Sequence, residues 1–537
     1  MIDAYGSDIG NAYAFLSVVT QEELDALPMI PVQIDRLGMP TIAYVTPPEG
    51  SPIYVNFAAN CDFRTRSRIK HDPRHIVRAI KTQLHGNKLP LKALNTELSP
   101  YRVYAEVAKE LVRVGNECRK EEGLPPIYRL VLTYPAAFSK YPDELQLLNR
   151  MQQAVESVEL DGHHLEVVGR LPEPAAVAID YLYRVRSVPA QNDQLPQDSL
   201  TVLVYDLGHG TFDVAAVTAR SKGEPYQVWD SDGLPDVGGK DFDSLLVQEL
   251  LSQMEKLGYR PSNDAEREEL LEEAIRAKHE LSEEDEVSVQ HQKRTDGSYL
   301  ELTITRERFE EITRQLLMET VELTQQMLTA QLQQGRQIDR IVLSGGASQM
   351  PMVLEALKTS LNPKVEVLPP YRPARAVSFG AARYAAGLPE PEDSDGRKDP
   401  GPARPSRVAQ LRAKRGYGVE VLQEGELESR VQVLIKAGEP LPAIGRIENY
   451  RPSAGVAGHI DCVIDCPDVS AEAGDLLFKS VCHNFILLHF DLPQQGTYDL
   501  DFTLDPNYNI TVTLTDSDGV AHTAGTAGPA GEGGTDE

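Results

Sequence analysis

The sequence predicts an α/β protein followed by a small antiparallel β domain, and three observations carry that reading. Apolar β-branched runs alternate with helical periodicity from residue 1 to about 387. A stretch rich in proline and charge, 388–407, then interrupts the pattern with almost nothing to bury. Beyond it, helical spacing gives way to two-residue alternation. At 537 residues the chain also exceeds what one hydrophobic core supports. The expected division is therefore 1–387 as the α/β domain, 388–412 as a charged linker, 413–520 as the β domain and 521–537 as a disordered tail.

Composition narrows the class of partner. With Lys+Arg 53 against Asp+Glu 81, the net charge is −28, which disfavours nucleic acid and anionic membrane surfaces. The start, Met1-Ile-Asp-Ala-Tyr5, lacks the basic and apolar pattern of a signal peptide, and no stretch approaches ~20 apolar residues. Five cysteines, an odd number, fit a reducing compartment, so a cytoplasmic location is expected.

In the first half, Val202-Leu-Val-Tyr205 reads as a buried strand that ends in Asp206-Leu-Gly-His-Gly-Thr-Phe-Asp-Val214. Gly208 and Gly210 let the backbone turn and aim N–H groups at an oxyanion, while Asp206, Thr211 and Asp213 supply acids and a hydroxyl. Carboxylates repel phosphate, so acids beside such a turn point to metal-bridged nucleotide. An Asp-Gly hairpin turn explains the same segment equally well when it is taken alone. A second strand, Ile341–Ser344, runs into Gly345-Gly346-Ala347-Ser-Gln349 before a helix expected from Pro351. A lone Gly-Gly after a strand is usually a plain turn. Gly6-Ser-Asp8-Ile-Gly10-Asn11 repeats the pattern near the N-terminus.

These three segments, in this order, resemble the nucleotide-binding domain of the seventy-kilodalton heat-shock chaperones, the DnaK family. Four further stretches strengthen the resemblance: Val131–Phe138, Leu171-Pro-Glu-Pro-Ala-Ala-Val-Ala178, Val237-Gly-Gly-Lys-Asp-Phe-Asp243 and Thr305-Arg-Glu-Arg-Phe-Glu310. It covers residues 1–385 and implies a two-lobed, actin-like ATPase domain with ribonuclease-H-like subdomains, followed by a β-sandwich that holds extended peptide. An actin-like filament former or a sugar kinase on the same fold is disfavoured by the Glu173-Pro-Ala-Ala176 crossover and the C-terminal β domain.

The same resemblance assigns a site for ATP or ADP with Mg²⁺. Lys81 matches the phosphate-facing lysine, Glu173 the crossover glutamate, and Thr211 the hydroxyl near the terminal phosphate. Asp8 and Asp206 match the aspartates that hold Mg²⁺ through water, and Lys81, Glu173, Asp206 and Thr211 form the hydrolytic set. Gly10, Asn11, Gly208, His209, Gly210, Lys278, Ser282, Gly345, Gly346, Ala347 and Gln349 would line the nucleotide.

This chain departs from the family in the same cleft. Asn11 and Ala12 stand where the family has two threonines, and His209 replaces a glycine, read as an outward-facing side chain. Ile275 replaces the ribose-binding glutamate, His279 the adenine-stacking arginine, Gln349 a second arginine and Ala374 an aspartate. The lost cation stacking and the lost ribose contact each cost about 1 kcal/mol or more, so weak binding and slow hydrolysis are expected. The segment matching the family's acidic, leucine-rich linker is Val408–Gly416, basic with one leucine, which weighs against coupling between the domains.

In the β domain, Leu500, Phe502 and Leu504 share one strand face, Asp505–Asn509 turns the chain, and Ile510, Val512 and Leu514 return on that face. No residues are left for the family's helical lid, so fast exchange of an extended, unfolded peptide is expected. A dedicated protein partner on this module is the competing reading, with the whole chain then a pseudo-chaperone scaffold that uses nucleotide without turnover. The family resemblance also implies a J-domain protein and a nucleotide exchange factor. His459, Cys462, Cys466, Cys482 and His483 are read as strand packing rather than zinc ligands, and the acidic run Glu266–Glu286 as a solvated helix face.

Overall fold

The computed structural model describes residues 4–19, 30–32, 38–45, 53–55, 76–86, 89–91, 96–187, 199–220, 224–362, 365–388, 408–421, 430–451, 459–466, 473–478, 482–490 and 496–526. Asp72–His75 and 389–407, on which parts of the sequence reading fall, lie outside them, as does 527–537.

Two mixed six-stranded sheets are built on one plan. In the first, Tyr5–Ile9 pairs parallel with Arg129–Tyr134, which pairs parallel with Glu166–Pro172; on its other side Tyr5–Ile9 turns into the antiparallel strand Tyr13–Val18. In the second, Leu200–Leu207 pairs parallel with Arg340–Ser344 and turns into the antiparallel strand Phe212–Ala219, which pairs with Tyr226–Leu234. The first strand of each sheet thus carries an aspartate one residue before its end, ahead of a glycine-containing turn: Asp8 in one and Asp206 in the other. Every residue of Leu200–Leu207 and Phe212–Ala219 is buried, as a strand covered by helices on both faces requires.

The helices fill those faces. Pro100–Glu121 and Glu144–Glu156 share a core with the first sheet. Gly239–Lys256, Asp264–Glu280, Arg306–Gln333 and Pro351–Ser360 share one with the second. The last of these begins at the proline the sequence predicts, where a missing N–H costs nothing. Between the sheets lie Glu173–Ser187 and Ala376–Gly387, the latter buried along its whole length. They cross so closely that a Cβ on Gly380 would stand 1.8 Å from the Ala176 carbonyl oxygen, so only glycine fits. No helix among the described residues is long and apolar enough to cross a membrane.

The C-terminal region is antiparallel, as expected. A five-stranded sheet contains Gly416–Val421, Arg430–Ile435, His459–Cys466, Leu476–Phe478 and His483–His489; a four-stranded sheet contains Ala443–Tyr450, Tyr498–Leu504, Ile510–Thr515 and Ala521–Gly525. Tyr417, Val419, Leu434 and Ile435 of one share a core with Leu500, Phe502, Leu504, Ile510, Val512 and Leu514 of the other. The predicted alternation of the hairpin holds residue by residue.

Two boundaries need correction. The disordered tail expected from 521 is strand at its start: Ala521–Gly525 pairs with Thr511–Thr515, and Thr523 meets Thr513 at 3.0 Å. Backbone pairing needs no apolar side chains, so composition missed it. The charged linker expected to 412 is likewise structured at its end. Ala409, Leu411 and Ala413 are buried, with half-buried Gln410, Arg412 and Lys414 between them, and Ala409–Gln410 forms the edge strand beside Tyr226 and Gln227. Small apolar residues in alternation with basic ones hid a period-two pattern.

The β domain packs on the first sheet through its hairpin turn. The Arg170 backbone N–H donates to Asn507 Oδ1 at 2.9 Å, and its buried guanidinium donates to Asn149 Oδ1 (2.7 Å), Asn509 Oδ1 (3.0 Å) and the Asn507 carbonyl. Lys414 Nζ reaches Glu144 at 2.9 Å. Burial pushes Asp505, which caps the turn through Asn507 and Asn509 N–H at 2.8 Å each, above the usual carboxylate range.

Candidate functional site

The two strands that carry these aspartates aim their turns at a common cleft. Asp8 lies near the end of Tyr5–Ile9; Asp206 lies near the end of Leu200–Leu207 and is 6% exposed. Lys81 enters from the short 3₁₀ helix Ile80–Gln83 and is 1% exposed. Glu173 opens the helix Glu173–Ser187, where an acid suits the dipole. Lys81 Nζ makes a short contact with Glu173 Oε1 and lies 4.0 Å from Asp8 Oδ1. Thr211 Oγ1 donates to Asp213 Oδ2 at 2.7 Å.

The carboxylates here outnumber the cation. Burial, then Glu173, pushes Asp8 up to about 7. Burial, then Asp213, Glu173 and Asp8, drives Asp206 well above its ordinary value. Asp213 is pushed up to about 7 by burial and Glu173 despite its hydrogen bonds. Burial by itself lowers Lys81, but the Glu173 and Asp8 carboxylates outweigh it and hold the ammonium above its ordinary value. An acid-rich, buried cleft of this kind is suited to a divalent cation. No group of three or more His, Cys, Asp or Glu side chains that could hold a metal ion by themselves is found among the described residues.

The turns that frame the cleft lock together through backbone and one amide. Gly10 N–H donates to the Tyr13 carbonyl at 3.1 Å, and Gly208 N–H to the Thr211 carbonyl at 3.0 Å. Asn11, 9% exposed, accepts from Thr82 N–H at 3.2 Å and lies against Gly210, so it ties both turns to the lysine helix. The first residues of Gly239–Lys256 dock on the second turn: Gly239 N–H donates to the Gly208 carbonyl (2.9 Å) and Lys240 N–H to that of His209 (2.8 Å). His209 is half-buried rather than outward-facing, and burial, followed by Lys278 and Lys240, pushes it down to about 4. A neutral imidazole at pH 7 draws no phosphate by charge. Gly345 has φ +83° and backs onto Asp206: a Cβ there would stand 2.2 Å from the Leu207 carbonyl oxygen and 2.6 Å from Asp206 Oδ1.

Residues expected around the nucleoside are occupied locally. Lys278 pairs with buried Asp243 at 2.7 Å and donates to the Gly239 carbonyl at 3.2 Å. Ser282 turns back to the Lys278 carbonyl at 3.5 Å, and Gln349 to that of Gly346 at 3.2 Å. Ala347 is buried beside Gly239, whereas Gly346 is open. Of the altered positions, His279 and Ala374 are exposed and Ile275 is half-buried.

Sequence reasoning missed three participants. Ala137 N–H donates to Asp213 Oδ1 at 2.7 Å, which joins the turn after Arg129–Tyr134 to the second sheet. Tyr104 carries a buried hydroxyl with no hydrogen bond among the described residues, close enough to Lys81 and Glu173 to feel both charges. Asp243, seen only as part of a motif, neutralises Lys278. None has a local signal, because each acts across tens of residues. Of the five His and Cys residues read as strand packing, the structure describes the side chain of Cys482 alone, and the acidic run is corrected at one position. Cys482 packs with Val431, Val433 and Leu477, and no metal cluster is found among the described residues; the side chains of His459, Cys462, Cys466 and His483 lie outside them. The solvated acidic face is corrected at Glu266, which is fully buried against Tyr259, Ser262 and His291.

The Hsp70 protein family model matches residues 62–395. A ribosome-associated molecular chaperone of Nakaseomyces delphensis is 31% identical over 275 residues, 51% of this chain and 41% of that protein. The ribosome-associated molecular chaperone of Candida glabrata is 29% identical over 307 residues, 57% and 46% respectively. The chaperone protein dnaK of Guillardia theta is 28% identical over 335 residues, 60% and 48%. The chain thus aligns with less than half the length of each of these relatives.

Proposed function

The chain belongs to the Hsp70 protein family, and we propose that it is a divergent molecular chaperone that binds ATP or ADP between two actin-like lobes and hydrolyses ATP slowly. One observation carries this: side chains from separate elements, Asp8, Lys81, Glu173 and Asp206, converge on one buried cleft at the strand ends of two sheets of like plan.

In this reading Asp8 and Asp206 would hold Mg²⁺ through water, and the cation would supply charge compensation for the polyphosphate. Lys81 offsets charge that develops on the terminal phosphate, and Thr211 turns its hydroxyl from Asp213 to donate there. Glu173 positions the attacking water by accepting its hydrogen bond. Backbone N–H groups of the turns at 10–12 and 208–211 cradle the phosphates. The nucleoside is held weakly, because Lys278 is spent on Asp243 and Gln349 on its own backbone.

The C-terminal sheets are proposed as a β-sandwich that takes extended, unfolded peptide, the client class expected from relatives named as chaperones. A J-domain protein and an exchange factor are the proposed helpers, and the cytoplasm the proposed location. A scaffold that keeps nucleotide without turnover is the second reading, favoured by the occupied Lys278.

ATP titration by calorimetry, with turnover of wild type and Lys81→Ala, separates them. Turnover abolished by the substitution supports the ATPase; tight binding without turnover in wild type supports the scaffold; no binding at all overturns both.

A further inference from the structure

The chain has one tryptophan, and three guanidinium groups converge on it. Arg412 lies 4.2 Å from the Trp229 ring centroid, Arg336 4.4 Å and Arg220 5.9 Å. They come from three elements: the edge-strand segment after 408, the turn that ends Arg306–Gln333, and the end of Phe212–Ala219. The indole N–H is fixed to Thr218 Oγ1 at 2.7 Å, so the ring is a rigid platform for stacked cations.

None of the three makes an ion pair among the described residues. Arg412 donates to the Gly438 carbonyl (2.6 Å) and Gln227 Oε1 (3.1 Å), and its buried Nε has no partner. Arg336 donates to Gln331 Oε1 at 2.7 Å and to Gln334, which leaves Nη1 free. Arg220 is exposed and makes no hydrogen bond there. The adjacent carboxylate, Asp230, accepts from the Ser231 N–H at 2.9 Å instead of from a guanidinium. Three like charges, two of them held by neutral acceptors, repel one another, and an anion relieves that repulsion.

We propose that the Arg220–Trp229–Arg336–Arg412 cluster is a docking surface for a short acidic peptide segment of a partner protein, and that this partner favours the seated state of the segment around Arg412. The open donors, Arg336 Nη1 and the Arg220 fork, lie against one indole and suit successive carboxylates along a chain. A net charge of −28 repels long polyanions, so a short acidic stretch is the ligand that this local reversal of sign admits. Because Arg412 enters only with the edge strand Ala409–Gln410, ligand and strand are thermodynamically linked. The surface stands apart from the nucleotide cleft, and its test does not depend on ATP.

Trp229 is its own reporter. The full chain is titrated with a six-residue Asp/Glu peptide, its Asn/Gln counterpart, and inorganic phosphate, and tryptophan emission is followed. A saturable change with the acidic peptide alone is expected, weakened about tenfold by Arg336→Gln and by Arg220→Gln with unchanged thermal unfolding. No change, an equal response to the neutral peptide, or a response reproduced by phosphate at equal concentration overturns the proposal; the last outcome marks a small-anion site. Arg220→Gln, at an exposed position, keeps the test decisive if Arg336→Gln misfolds.

Discussion

The Lys81 ammonium is buried against the Glu173 carboxylate, 92 residues away in sequence, with Asp8 Oδ1 4.0 Å from the same nitrogen. The lysine is therefore both a structural counter-charge and the group best placed to meet a terminal phosphate. Removal strands buried acids without compensation, a loss of ~3–5 kcal/mol. Lys81→Ala is expected to lower the unfolding temperature in cation-free buffer and to reduce any ATP turnover by about 10²–10³-fold. Thermal denaturation and a steady-state phosphate assay read the two effects, and a variant that keeps wild-type values in both would remove Lys81 from the cleft chemistry.

Arg170 makes the corresponding contact between domains. Its guanidinium is 2% exposed and satisfies Asn149, Asn507 and Asn509 at once. Arg170→Ala leaves the turn acceptors and Asp505 buried without that donor, at a cost of about 3 kcal/mol or more. The β domain should then separate from the first sheet, seen as a larger radius of gyration in solution scattering and as a second unfolding transition. An unchanged scattering profile would show that the remaining contacts, Lys414 and Arg415 with Glu144 and Arg415 with the Ser139 carbonyl, hold the interface without Arg170.

Glu266 gives a pH prediction with a defined sign. Burial by itself raises a carboxylate, but hydrogen bonds from Tyr259, Ser262 and His291 outweigh it and hold Glu266 down at about 2, below an ordinary 4.5. A group depressed in the folded state adds stability above its unfolded value and loses it as pH falls towards the folded one. Glu266→Gln should therefore cost on the order of 2 kcal/mol at pH 7, with the difference from wild type shrinking between pH 4.5 and pH 2. Denaturant unfolding across that range measures it, and a difference independent of pH would assign the loss to packing.

Much of this was legible in the sequence because it is local. The strand-turn segments at Asp8, Asp206 and Gly345, the helix from Pro351 and the Leu500–Leu514 hairpin each announce themselves within ten or fifteen residues. What escaped is set by distant partners. Glu266 belongs by spacing to an exposed acidic helix, yet His291 on a strand 25 residues on buries it. Lys278 keeps its expected position but not its freedom, since Asp243 lies one helix away. The strand Ala521–Gly525 has a tail's composition and is ordered by the backbone of Ile510–Thr515.

Gly345 joins both kinds of information in one test. The sequence marks it only as half of a Gly-Gly pair; the structure gives it φ +83° with its missing Cβ aimed at the Leu207 carbonyl and Asp206 Oδ1. Gly345→Ala thus combines a left-handed backbone at a residue that resists it, of order 1–3 kcal/mol, with a steric push on the cleft aspartate. Gly346 has nothing within 4 Å of its Cβ position, so Gly346→Ala is the matched control. Nucleotide affinity by calorimetry should fall at least tenfold for the first substitution and change little for the second. Equal behaviour of the two would show that Asp206 has room to move and that the turn does not set its position.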